Sequence, residues 1–368
     1  MTLLIDNETR PRAADGHAIG GAEAVALLNS RVLKEYPFHT FADSDYGDCR
    51  LPFYSVEWHK KQGNKQYYRT KEWEKWASKL RADVIVSHII KTTPINAFAN
   101  VFPHKLVQFE FRSPGGQMDI TKLDIYERIL KAGGQIVFVS QRQLNIWNAF
   151  SDRLKGYEMF KDSEVVTHVV YKHKQIDHIN NKLGKPIIVA RANKEKNIVP
   201  FLKHWNKPLT FILAEDDDDY LQEIYRLAHP DSDFILNASR AEVDHELSKA
   251  HFLISTCAKE TSGLNAFEAL SVGCPVLLIE DKFSHASWDF APTGFGMRAV
   301  SHLRSVNDFE PLKMWSDPYH RCAIQDYMQR FTKEKYKDDL ERIIDNVRRN
   351  LHSNVSPTKQ PDNLDQFT

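Results

Sequence analysis

Cysteine is scarce: the 368 residues contain four, Cys49, Cys257, Cys274 and Cys322, at no metal-binding spacing. That excludes a disulfide framework or a zinc module as the source of stability, and it points to a reducing compartment, the cytoplasm. Net charge is also lacking, since 49 Lys and Arg balance 49 Asp and Glu. No global field therefore draws the chain to DNA or to a membrane, and any such attraction has to be local. No apolar run is long enough to span a bilayer, and the first residues do not read as a signal peptide; peripheral membrane contact stays open. No internal repeat of solenoid period occurs. What remains is 42% hydrophobic and 27% charged, the balance of a globular protein, at a length that suits two domains.

The most informative stretch is Glu260-Thr261-Ser262-Gly263-Leu264-Asn265-Ala266-Phe267-Glu268. It follows an apolar strand, His251 to Ser255, and opens a helix that ends at Gly273; Pro275 starts the next strand, Pro275 to Ile279. Thr261 or Ser262 is a natural helix N-cap. Gly263 allows close backbone approach by a ligand. The N–H groups of the helix start favour an anion such as a diphosphate. Glu268 falls on the second turn, where a carboxylate can accept hydrogen bonds from a sugar diol, and Glu260 lies in the loop beside the anion. An ordinary βαβ unit with two solvated glutamates would show the same Glu and Gly.

This stretch resembles the donor-binding signature of the large retaining GT-B glycosyltransferase family, the glycosyl transferases group 1. The resemblance is carried by Glu260, Gly263-Leu264, Glu268-Ala269 and the turn Gly273-Cys274-Pro275-Val276. It implies that Glu260 contacts the donor sugar and that Glu268 holds the ribose hydroxyls.

The chain begins with a short apolar strand, Thr2 to Ile5, then a polar loop and Gly20-Gly21. Val25, Leu28 and Val32 recur at helical spacing before Pro37. Two glycines at a helix start make a second candidate anion or sugar site. They also resemble the family's N-domain glycine loop, which implies backbone approach of Gly20 and Gly21 to the donor phosphate and transferred sugar. Residues 59–81 interleave Lys60, Lys61, Lys65, Arg69 and Lys71 with Tyr67, Tyr68, Trp73 and Trp76. Such a run can bind phosphates and stack bases, which would make nucleic acid the acceptor, or it can be an amphipathic helix with a solvated basic face. The strand Asp83 to Ser87 ends in His88, a candidate site residue because open α/β sheets bind ligands beyond the carboxyl ends of strands. A second strand, Lys105 to Phe109, runs into Glu110-Phe111-Arg112, where many family members have a histidine. A third, Gln135 to Val139, enters a helix at Ser140, and Glu164 to Tyr171 reads as one more strand.

The second half opens with the strand Pro186 to Ala190, followed by Arg191 and, five residues on, Lys196. Two cations at a strand end suit a diphosphate, because Arg binds two oxygens at once and Lys acts as a compact charge. Their spacing resembles the family's donor-phosphate pattern, which implies that Arg191 and Lys196 stabilise the departing diphosphate. The acidic run Glu215-Asp216-Asp217-Asp218-Asp219 follows the strand Leu209 to Ala214. It could hold a metal ion, but it also opens a helix, where acids complement the dipole.

The expectation is an α/β protein of the GT-B class, with two Rossmann-like domains facing across a cleft. Residues 1–180 would form the acceptor side and 181–318 the nucleotide-sugar side. One helical segment, 319–352, would cross back to the first domain, leaving 353–368 as a disordered tail. The resemblance implies transfer of a sugar from a nucleotide-diphosphate donor to a hydroxyl acceptor, with retention, no cofactor and no obligatory metal. Transfer to hydroxylated bases of DNA, a nucleotide-sugar epimerase and a silent nucleotide-sugar-binding protein are the alternatives.

Overall fold

The computed structural model describes residues 2–6, 25, 28–29, 32–33, 38–40, 74, 77–78, 82–89, 92–111, 114, 117–167, 182–257, 263–279, 290, 294–301 and 303–353. Gly20, Gly21, Glu260, Thr261, Ser262, the basic residues Lys60, Lys61, Lys65, Arg69 and Lys71, and the tail beyond Ser353 lie outside them.

Short apolar runs become strands. In the first half these are β1 (Thr2–Asp6), β2 (Phe38–Thr40), β3 (Val84–Ser87), β4 (Leu106–Glu110), β5 (Gln135–Phe138) and β6 (Glu164–Val165). They form one six-stranded sheet in the order β2-β1-β3-β4-β5-β6, parallel throughout. Every residue of β3 and β4 is buried, as expected of parallel strands between two helical layers. Of the strand expected over Glu164 to Tyr171, Glu164 and Val165 pair with β5, and residues 168–171 lie outside the described residues.

One face of this sheet is covered by α1 (Thr92–Val101), α2 (Gln117–Lys131) and α3 (Gln141–Lys155). Phe98, Tyr126, Trp147 and Phe160 fill that layer. Helix α3 begins where Ser140 accepts the Gln143 N–H and ends at Gly156, whose φ of 80° is one that side chains with a β-carbon avoid.

The second sheet is built from β7 (Ile187–Arg191), β8 (Thr210–Ala214), β9 (Asp233–Leu236), β10 (Leu253–Ser255), β11 (Val276–Ile279) and β12 (Met297–Val300). Its order is β12-β11-β10-β7-β8-β9, again all parallel. Counted from its own first strand, this is the 3-2-1-4-5-6 order of the Rossmann fold. The connecting helices are α4 (Ile198–Leu202), α5 (Asp218–Leu227), α6 (Arg240–Lys249) and α7 (Leu264–Ser271).

The segment expected as one helical stretch is two helices, α8 (Pro318–Met328) and α9 (Lys333–Ser353). The break has a packing cause. Ile324 and Met328 of α8, with Phe331 just after it, belong to the core of the second sheet. Phe331 meets Phe267 and Phe290, and Arg330 lies over the Tyr327 and Phe331 rings while donating to the Phe290 carbonyl at 3.0 Å. From Tyr336 onward the chain serves the first sheet. Tyr336, Leu340, Ile343, Ile344 and Val347 form one helical stripe packed with Val84, Val86, Val107, Phe109 and Val137. At about 1.5–3 kcal/mol for each large apolar side chain fully buried, this stripe is a major part of the stability of the first sheet. Arg342 adds a two-pronged contact to Glu164 of β6.

Two buried polar clusters fix the first unit. Glu110, at the end of β4, is ion-paired with Lys122 at 2.8 Å, and both side chains are almost wholly buried. It also accepts the Tyr126 hydroxyl and, at 2.9 Å, the Phe111 N–H. Burial, reinforced by the Glu110 carboxylate, pushes the Tyr126 phenol well above its ordinary pKa, so it remains a donor. Lys122→Met should lower stability by about 3–5 kcal/mol in urea titration, because it strands a buried carboxylate.

In the second cluster Asn29 links two elements: its amide nitrogen donates to His88 Nε2 at 2.6 Å, and its oxygen accepts the Tyr336 hydroxyl at 2.5 Å. Tyr336→Phe should cost about 1–3 kcal/mol by the same measurement, since it leaves a buried amide oxygen short of a donor.

Candidate active site

In the second sheet, β8 and β9 extend to one side of β7 while β10, β11 and β12 extend to the other. Strands β7 and β10 are neighbours, yet the chain leaves them in opposite directions. Such a switch point opens a crevice at the carboxyl ends of the strands, where open α/β sheets bind ligands. Arg191 is the last residue of β7. Thr256 and Cys257 follow β10 directly and lead into the segment that carries Glu260.

Side chains sew the two exits together. After β7 the chain makes a tight 3-10 turn, Lys194–Lys196, with Asn193 accepting the Lys196 N–H and Asn197 in left-handed conformation at its end. The Lys196 carbonyl accepts the Thr256 hydroxyl at 2.6 Å, and the Glu195 carbonyl accepts the Cys257 thiol at 3.6 Å. Asn265, in the first turn of α7, donates to the Val189 carbonyl of β7 at 3.3 Å. Arg191, the Lys196 turn and the start of α7 are thus held in one place although they lie far apart in the chain.

Helix α7 starts differently from expectation. It begins at Leu264 with Gly263 as N-cap, rather than with Thr261 or Ser262 in that role. Gly263 has φ 62° and ψ 34°, a left-handed backbone that glycine adopts without strain. Gly263 has no side chain to cap this end; Asn265 does so from within the first turn, its amide oxygen accepting the Ala266 N–H at 2.8 Å. Ala266, Phe267, Ala269 and Leu270 bury the inner face of the helix against the sheet. Glu268, one turn in, is left partly exposed and forms an ion pair with Arg240, the first residue of α6. Arg240 also binds Asp244 at 2.9 Å. Burial pulls its pKa down, but the Glu268 and Asp244 carboxylates outweigh this and raise it.

Arg191 lies 3.7 Å from Asp216, which follows β8 on the other side of β7, with both side chains partly exposed. Asp216 in turn accepts the Asn193 amide at 2.6 Å. The rest of the acidic run has its own partners. Glu215 exchanges hydrogen bonds with Asn237, Asp217 caps α5 through the Tyr220 N–H, and Asp218 and Asp219 occupy the first helical turn. Among the described residues no group of three His, Cys, Asp or Glu could hold a metal ion.

Arg191, the Lys196 turn and the helix start at Gly263 and Leu264 therefore stand at the carboxyl ends of the neighbouring strands β7 and β10, and Glu268 lies one turn further along α7. His88 is elsewhere. It does follow the end of β3, but its ring is 1% exposed, stacked on Phe109 and bonded to Asn29 beneath α9. Sequence reasoning missed Arg240, Asp216 and the tethering residues Thr256 and Asn265. One signal for Arg240 was available: Ser239-Arg240-Ala241-Glu242 forms a capping box, which puts a cation at the positive end of a helix.

No family model matches the chain, and no curated protein matches it in sequence. Solved structures do match in shape. Sucrose-phosphate synthase from Thermosynechococcus elongatus superposes with a TM-score of 0.64 at 12% identity, over 96% of this chain and 99% of that one. HepE of Anabaena, solved in complex with UDP and glucose, gives 0.61 at 14% identity, over 94% and 99%. A UDP-forming α,α-trehalose-phosphate synthase from Burkholderia xenovorans gives 0.60 at 12% identity, over 94% and 99%. No helix of the described residues is long and apolar enough to cross a membrane. The chain has the GT-B fold: two parallel, Rossmann-like sheets with the last helix returned to the first.

Proposed function

We propose that this chain is a retaining glycosyltransferase that moves a sugar from a nucleotide-diphosphate donor to a hydroxyl acceptor. The observation that supports this reading best is a pair of cations after β7 beside a glycine-led helix start at the switch point of the second sheet, with a carboxylate one turn along that helix. Each part answers one need of such a donor. Arg191 and Lys196 would face the diphosphate and stabilise the negative charge that grows on it as the glycosidic bond breaks, an electrostatic effect on the transition state. The positive end of the helix that starts at Gly263 and Leu264 would face the same phosphates. Glu268 would accept the two ribose hydroxyls. Glu260, in the segment between β10 and α7, would contact the transferred sugar, and Gly20 and Gly21 would approach it from the first unit.

The fold neighbours support the donor class, since one was solved with UDP and glucose and another is UDP-forming. Because Arg and Lys supply the positive charge, transfer would proceed without added metal. The acceptor would bind on the first unit, as a saccharide, a lipid-linked sugar or a small molecule. Duplex DNA with hydroxylated bases belongs in an acceptor screen because of the basic and aromatic run at 59–81.

Nucleotide release from UDP-, GDP- and ADP-sugars in the presence of a chelator tests the reading. Release from one donor, lost in Glu260→Ala, is the expected result. Absence of both release and binding for every donor would sink it, and conversion of the donor sugar with no acceptor would mark an epimerase. Glu268→Ala should raise the donor KM, whereas Arg191→Ala and Lys196→Ala should mainly lower kcat, by roughly 100-fold or more for a lost transition-state contact. Asp216→Asn keeps the shape beside Arg191 but removes a charge that competes with the diphosphate. It should tighten UDP binding about two- to five-fold by calorimetry, the scale of an exposed ion pair.

A further inference from the structure

Arg240 breaks a local rule. It is the first residue of α6, and the first turn of a helix disfavours a cation because the unpaired N–H groups already carry positive charge. The usual acid is present as well: Glu242 takes the Ser239 N–H at 2.7 Å in the capping box. Arg240 is therefore not needed for capping, and its guanidinium is directed instead at the largely buried Glu268 and Asp244 carboxylates. A residue placed against local preference is where a functional role is to be sought.

Its placement is specific. Arg240 reaches from the start of α6 across to α7 and meets Oε1 of Glu268, while its second contact, Asp244, keeps the guanidinium anchored on its own helix. A carboxylate has lone-pair positions for about four donors. A guanidinium on one oxygen restricts the rotation of the group and favours its charged form, and a carboxylate's acceptor capacity exceeds what that one contact uses. Resting on the nucleotide-sugar reading above, we propose that Arg240 is the positioning residue for ribose recognition. It holds Glu268 turned toward the crevice so that the carboxylate accepts the 2′- and 3′-hydroxyls together, and it thereby sets the preference for a ribonucleotide donor over a 2′-deoxyribonucleotide one. Asp244 steadies Arg240 in turn.

Calorimetric titration of the full chain with UDP, GDP and ADP and with their 2′-deoxy forms tests this. The wild type should prefer the ribonucleotide by about tenfold or more, the scale of a lost charge-assisted hydrogen bond. Arg240→Met should weaken the ribonucleotide by about that factor and leave the deoxy form nearly unchanged, so that the preference collapses. Arg240→Lys should restore part of it, and Arg240→Gln serves if the Met variant does not fold. Equal weakening of both ligands would show a merely structural role and overturn the proposal, as would a preference that persists in the Met or Gln variant. If the wild type binds none of these nucleotides, or if Glu268→Gln keeps the full preference, the nucleotide-sugar assignment of the crevice falls as well.

Discussion

A parallel sheet has to be covered on both faces, because its strands are apolar on both and its connections put helices there. Most of this architecture depends on that constraint. The first sheet has α1, α2 and α3 on one face, and its other face is completed by α9, the last helix of the chain. The C-terminal helix therefore cannot stay with the second sheet, from which it descends in sequence. The break between α8 and α9 is the point where the chain passes from one core to the other. Tyr336, Asn29 and His88 form the polar joint on the far side of that break.

The crevice comes from topology, not from any one residue. Strands β7 and β10 touch, but their onward connections diverge, so strand ends and a helix start meet where open α/β sheets bind ligands. Charge then distinguishes it. Arg191 is met by Asp216 and Glu268 by Arg240, each counter-ion coming from a neighbouring element. The Arg191–Asp216 pair, half-exposed on both sides, is weak enough to be exchanged for a ligand of matching chemistry. A diphosphate offers Arg191 what Asp216 offers, and a diol offers Glu268 further donors.

His88 and Glu110 show the opposite outcome. Both stand at carboxyl ends of strands in the first sheet, where a ligand group would be sought. Both are enclosed: His88 by Asn29 and Phe109, and Glu110 by Lys122 and Tyr126. Position at a strand end makes a residue a candidate, and packing decides whether it faces a cleft.

The amino-acid sequence by itself determined the strands and helices of the second unit, because short β-branched runs, acidic helix starts and glycine ends are local signals. It also placed Arg191, Lys196 and Glu268 at strand and helix ends, since the resemblance lies in contiguous motifs. Only the tertiary structure decided that Gly263, not Thr261 or Ser262, begins α7, because the cap depends on how the loop leaves β10. The Arg240 contact to Glu268, the Asp216 contact to Arg191 and the burial of His88 under a helix more than two hundred residues later were likewise invisible. The physical reason is common to them: each pairs side chains distant in sequence, and neither propensity nor periodicity carries information about which strands become neighbours.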